Sequence, residues 1–164
     1  MMKKTLLCLL ALAMLLSLAA CVRPVTPAYQ EAIEPAALAA YCQAVLPSGD
    51  LLADADEDYL RYRMELPEAV AAAAVIRIQN AGTALDEFGV LRAPDGVDAK
   101  AVAETIEAYL TARREEWTGM YLVEEFPKLR DAECRVFGRY VVYGILSEED
   151  RGKLFDAAEA HLHK

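Results

Sequence analysis

The first twenty-one residues set the limits on everything that can fold after them. Lys3 and Lys4 precede an unbroken apolar run from Leu6 to Leu16, and Leu18-Ala19-Ala20-Cys21 follows after Ser17. A basic start, a short apolar stretch and small residues before a cut site are the parts of an export signal, the alternatives being an ordinary secretory signal or a short uncleaved anchor with Cys21 there by chance. Removing residues 1–20 leaves 144 of the 164 residues, room for one domain. A domain of that size buries roughly 68–70% of its unfolded surface, so neither a metal nor a disulfide framework is needed to hold a core. The mean hydropathy of +0.15 is raised by the leader and by alanine richness and does not indicate a multispanning protein.

Leu18-Ala19-Ala20-Cys21 resembles a bacterial lipobox. The resemblance implies cleavage after Ala20 and acylation of Cys21, which becomes the new N-terminus. Acyl chains partition at about 0.8 kcal/mol per buried methylene, so several of them would hold a domain at the membrane without a spanning helix. The expected location is therefore the outer face of the bacterial cytoplasmic membrane, in the cell envelope. Pro24 and Pro27 mark a tether over residues 21–34, read either as an extended spacer or as a segment without set length. Residues 35–164 form the expected single domain.

The formal charge is −9, and −11 once Lys3 and Lys4 leave with the signal. Basic residues are scattered and outnumbered, which excludes nucleic acid as an expected partner and gives an anionic lipid surface nothing to attract. After removal of Cys8 with the signal and acylation of Cys21, Cys42 and Cys134 remain. They are compatible with a disulfide or with two small buried hydrophobes.

Periodicity predicts α-α-β-β-α-β-β-α. Leu38, Tyr41, Cys42 and Val45 mark an amphipathic helix over Pro35 to Leu46, and a second is expected over Asp56 to Met64. Ala72 to Gln79 and Glu87 to Ala93 read as a hairpin. Asp98 is placed to cap a long helix bearing Val102, Ile106, Tyr109, Leu110 and Trp117. Glu133 to Phe137 and Arg139 to Leu146 read as two further strands around Gly138, and Ser147 as the cap of a last helix. The expected class is α+β, a four-stranded antiparallel sheet in ββαββα order with helices packed mainly on one face, preceded by N-terminal helices.

The chemistry of the chain is constrained by what it lacks. His161 and His163 are the only histidines and sit in an end expected to fray, while Ser48 and Ser147 are the only serines after the signal. No Ser-His-Asp or Cys-His device is expected. Phosphate-loop, zinc-protease and Cys-x-x-Cys patterns are missing from the sequence, and Asp54-Ala55-Asp56-Glu57-Asp58 does not follow a calcium-loop pattern. The reading is thus of a protein that is not an enzyme, with no cofactor and no metal. Glu87 and Arg113 fall where a core would prefer neutral groups, either as a structural pair joining helix to sheet or as a recognition pair.

Asp86-Glu87 before a strand, a helix bearing Arg113, the aromatic Tyr121 and Gly138-Arg139-Tyr140-Val141-Val142 together resemble a bacterial lipoprotein family, the domain of unknown function 4358, found mainly in Gram-positive anaerobes. The resemblance would span Pro35 to Leu162. That family has no assigned activity, and the association of some members with acylation of envelope polysaccharides implies an accessory role. The leading expectation is a non-catalytic accessory or interaction module of an envelope assembly, partnered by an envelope membrane protein. Tyr109, Trp117, Tyr121, Tyr140 and Tyr143 are its candidate contact surface. The alternative is an extracytoplasmic small-ligand-binding domain in which Glu87 and Arg113 orient a polar solute.

Overall fold

The computed structural model describes residues 28–163; the expected signal, Cys21 and the first part of the tether lie outside them, as does Lys164. The elements in chain order are α1 (Pro35–Ala44), a 3-10 turn (Gly49–Leu51), β1 (Leu52–Asp54), a π-helical turn (Tyr59–Arg63), α2 (Glu68–Ala71), β2 (Ala74–Gln79) and β3 (Glu87–Arg92). They are followed by α3 (Ala99–Glu115), a second 3-10 turn (Val123–Glu125), α4 (Phe126–Arg130), β4 (Glu133–Phe137), β5 (Tyr140–Ile145) and α5 (Glu148–Leu162).

One open antiparallel sheet orders its strands β1-β2-β3-β5-β4. It has five strands, which replaces the expected four-stranded ββαββα arrangement. The addition is β1, whose Leu52 pairs with Gln79 at the edge. Three residues are too few to show the alternation by which a strand is recognised.

The expected placement of helices mainly on one face is also corrected. Residues of α1 and α5 pack with Phe88, Val90, Tyr140 and Val142 on one side. Residues of α3, α2 and α4 pack with Ile76, Leu91, Val141, Tyr143 and Ile145 on the other. All six residues of β5 are buried in consequence. The unbroken run Tyr140-Val141-Val142-Tyr143-Gly144-Ile145-Leu146 is what a strand covered on both faces looks like.

Local chemistry accounts for the ends of the two long helices. Asp98 Oδ1 accepts from Lys100 N at 2.9 Å to open α3, and Ser147 Oγ accepts from Asp150 N at 3.2 Å to open α5. Both satisfy backbone donors that a helix start leaves without partners. Helix α3 ends at Glu115, before Trp117 of the expected apolar stripe, and the second expected helix winds as the π turn over Tyr59–Arg63. In α1, Leu38 and Cys42 are buried, whereas Tyr41 and Val45 face outward. The C-terminal end does not fray as expected: α5 runs to the buried Leu162, His161 stacks on Tyr41 at 4.4 Å between ring centres, and His163 bridges to Tyr29.

Candidate functional site

Glu87 opens β3 on the face covered by α3, and its carboxylate is only 3% exposed. Four side chains from three other elements converge on it. Tyr109 and Tyr143 donate to Oε1 at 2.7 and 2.6 Å, while Tyr59 and Arg113 donate to Oε2 at 2.7 and 3.1 Å. Tyr109 and Arg113 stand four residues apart on α3 and so share one helix face. Tyr143 reaches across from β5, and Tyr59 arrives from the π turn.

The proton count within this cluster decides what it can do. Three phenols and one guanidinium nitrogen bring five protons. Arg113 Nη1 lies 2.9 Å from the Tyr59 oxygen and 2.7 Å from that of Tyr109, and those two oxygens are 2.8 Å apart. Because an ionised carboxylate accepts only, every phenol proton is drawn toward Glu87 and Nη1 shares its two protons among the oxygens around it. All four lone-pair sites of the carboxylate are thereby occupied. Burial, and after it the charge of Glu87, pushes the hydroxyls of Tyr59, Tyr109 and Tyr143 above the usual tyrosine range, so they remain donors. Burial alone would lower Arg113, but Tyr109, Glu87 and Tyr59 outweigh it and hold the guanidinium charged.

The cluster thus ties α3 and the π turn to the sheet and fixes the position of Arg113 Nη1. All hydrogen bonds of its guanidinium run through Nη1, which leaves Nε and Nη2 without a partner among the described residues. Arg113 lines a cleft of about 290 Å³ together with Tyr59, Arg63, Gln79, Leu85 and Asp86. At the cleft's edge, Lys128 Nζ bridges Asp86 Oδ1 at 2.6 Å and Glu125 Oε2 at 2.7 Å, and Leu85 N donates to the same Glu125 oxygen at 3.1 Å. Burial would raise the Glu125 carboxyl, but these donors outweigh it and lower the group below its usual range.

The five aromatics expected to share a contact surface are not brought together. Tyr109 and Tyr143 belong to the cluster, with rings 6.1 Å apart and edge-on. Tyr140 lies on the opposite face of the sheet, fully buried, and its hydroxyl donates to Ile33 O at 2.6 Å. Trp117 stacks on Phe126 at 5.6 Å, and only Tyr121 is well exposed, with its hydroxyl donating to Gly82 O. Around Tyr121 the surface is apolar in a way the sequence reading missed, for Met120 is 84% and Val123 57% exposed.

Cys42 and Cys134 are free and belong to opposite faces, near Leu154 O and Ala103 O respectively. Burial pushes both thiols up to about 12. In the acidic run, Asp54 pairs with Arg77, and Asp56 Oδ1 accepts from Tyr59 N at 2.8 Å. Among the described residues, no three His, Cys, Asp or Glu side chains gather as a metal-binding group.

Tyr59, and Gly89, which pairs with Tyr143 and whose missing side chain leaves room for that ring, are the site residues that sequence reasoning missed. Neither carries a local signal, since the π turn places the first and the ring of Tyr143 explains the second.

The model of the family described as Domain of unknown function (DUF4358) matches residues 48–146. This is narrower than the expected Pro35 to Leu162. It holds the whole sheet and every member of the Glu87 cluster, and leaves out α1 and α5. No curated protein matches the chain, and no solved structure does.

Proposed function

The chain belongs to the DUF4358 family, a domain of unknown function, and from that premise we propose that it is a non-catalytic, lipid-anchored lipoprotein of the bacterial envelope. It acts as an accessory module that binds a membrane protein partner on the outer face of the cytoplasmic membrane, in a Gram-positive type of cell. Anchoring rests on the leader and on Cys21. The observation that carries the interaction reading is the loop after α3, where Met120, Tyr121 and Val123 are 84, 65 and 57% exposed. Large apolar side chains grouped at a surface mark a contact waiting for a partner. The saturation of Glu87, the more deeply buried of the two acids at the site, supports a structural rather than catalytic role for it.

The test is crosslinking on intact cells followed by purification from membranes. The wild type is compared with Cys21→Ala and with a Met120→Ser/Tyr121→Ser/Val123→Ser form. A partner retained by the wild type and lost from both variants, with the loop variant still folded, is the expected result. Retention by the loop variant overturns the loop as the contact.

A second reading is favoured by the free edge of Arg113, which gives the cleft beside it two donors for a small polar solute. Arg113→Lys would keep the charge and lose the planar edge, so a solute held there would dissociate faster while the fold stayed intact.

A further inference from the structure

The lipid-anchored reading leaves open which end of the domain faces the bilayer, and the structure constrains it. The chain leading in from Cys21 is fastened at one end of the sheet. Gln30 N donates to Leu162 O at 2.8 Å, and Gln30 Nε2 to His161 O and His163 O at 3.3 and 3.2 Å. Tyr29 sets its ring edge-on against Phe137 at 5.9 Å, and Tyr140 bonds Ile33 O. Strand register then fixes where the Glu87 cluster lies. Tyr140 pairs with Arg92 and Ile145 with Glu87, so the fastened end and the Glu87 end are opposite ends of the same two strands. Helix α3 runs the same way, from Ala99 after the turn that follows Arg92 to Glu115 beside the exposed loop.

Lengths decide between the two orientations. The 17 residues of α3 rise about 26 Å at 1.5 Å each, and Trp117 to Val123 lie beyond its end. From Cys21 to Tyr29 there are eight Cα steps, which reach at most about 29 Å at full stretch. To lay the loop on lipid, the tether would have to run back along the whole domain, taut and without slack for the curvature of the surface. We propose that the end bearing Tyr29, Phe137 and the turn at Gly138 faces the bilayer, and that the Glu87 cleft and the loop Trp117–Val123 point away from it. This rests on acylation at Cys21. At the facing end Glu31, Glu34, Asp95 and Asp98 are matched against Arg92, Lys100 and Arg139, so no basic patch draws it onto anionic headgroups and the tether sets the separation. The loop is then out of reach of lipid and open only to a protein that stands beyond the headgroups.

Trp117 is the only tryptophan of the chain and reports on the far end without any substitution. The full lipidated protein, its acyl groups verified by intact mass, is incorporated into phosphatidylglycerol/phosphatidylethanolamine vesicles carrying a dansyl headgroup lipid. Energy transfer is compared between the wild type and a Trp117→Phe/Val97→Trp form, whose tryptophan sits in the exposed turn at the facing end. Transfer from position 97 is expected to be several-fold higher than from Trp117, and equal or higher transfer from Trp117 overturns the orientation. A long Gly/Ser insertion between Val25 and Thr26, which leaves the described domain untouched, is expected to raise transfer from Trp117. No change on insertion overturns the claim that tether length imposes the orientation. A protein that carries no acyl mass, or does not float with vesicles, overturns the anchored reading itself.

Discussion

Gly89 and Tyr143 pair directly across β3 and β5, and a Cβ built on Gly89 would lie 2.2 Å from Cε1 of the Tyr143 ring. The same Cβ would meet Ile76 Cδ1 at 2.6 Å. The missing side chain is the space through which the ring passes on its way to Glu87, two residues back along β3. This glycine serves packing rather than backbone freedom.

Gly89→Ala is therefore expected to destabilise the domain by about 1–3 kcal/mol, the usual range for overpacking, with the further loss of the Tyr143 bond to Glu87. Urea denaturation checks it. A variant as stable as the wild type would mean that the ring has room to move, and the account of the cluster would fail with it.

For the cluster itself, Glu87→Ala and Arg113→Ala should differ. Removing Glu87 strips four donors of their common acceptor and leaves a buried cation, for which a cost of about 3–5 kcal/mol is typical. Removing Arg113 leaves Glu87 with three phenol donors, so its cost falls below that of Glu87→Ala. The double variant should cost less than the two single costs added, because each single change orphans the very group that the other change removes. Additive effects in denaturation would show that the 3.1 Å contact carries no coupling.

How much of this was legible in the sequence depends on how local each cause is. Asp98 and Ser147 could be read as caps because a short acceptor before a helix acts on its own first turn. Glu87 and Arg113 stood out because charge interrupts apolar periodicity, and the structure brings them together. Tyr59 had no such signal. Its place depends on a π turn over Tyr59–Arg63 that brings its hydroxyl to Tyr109 and Arg113, fifty and more residues away in the chain, and no local pattern encodes that. The grouping of Tyr140 with Tyr143 was an error of parity. Residues three apart on a strand point to opposite faces, so one joined the cluster and the other turned to Ile33. The second helical layer is legible in the unbroken apolar run of β5, since a strand with only one covered face alternates.

Alkaline pH should weaken the fold in two stages. Burial, and for the phenols also Glu87, raises the folded-state values of Cys42, Cys134, Tyr59, Tyr109 and Tyr143. An unfolded thiol ionises near 9.0, whereas the folded ones wait until about 12, and the phenols follow from 10.0 upward. The folded state then holds more protons than the unfolded one. Stability from these groups is complete below pH 9 and is lost as pH rises, by up to about 1.4 kcal/mol per pH unit for each group titrating. Urea midpoints taken from pH 8 to 11 should fall with increasing slope, and more gently in Tyr143→Phe. A flat profile would contradict the burial of the cluster. At pH 8 both thiols should resist a disulfide reagent until urea is added.

Tyr140→Phe tests the fastening of the segment before α1 rather than the sheet. The hydroxyl donates to Ile33 O at 2.6 Å, and its loss leaves that carbonyl without its donor, at a cost of about 1 kcal/mol. The ring itself stays packed among Phe88, Val142 and Leu154, so β5 should hold. The weakening is then confined to residues 29–34, whose other ties run to α5, Phe137 and Arg92. Amide hydrogen exchange separates the two regions. The Gln30 amide, bonded to Leu162 O, should lose protection while the amides of β3 and β5 keep theirs. Uniform loss across the sheet would show that Tyr140 serves the core and that its bond to Ile33 is incidental. Loss at Gln30 alone would show that a single hydroxyl, on the face of the sheet away from Glu87, helps decide how the segment before α1 is held.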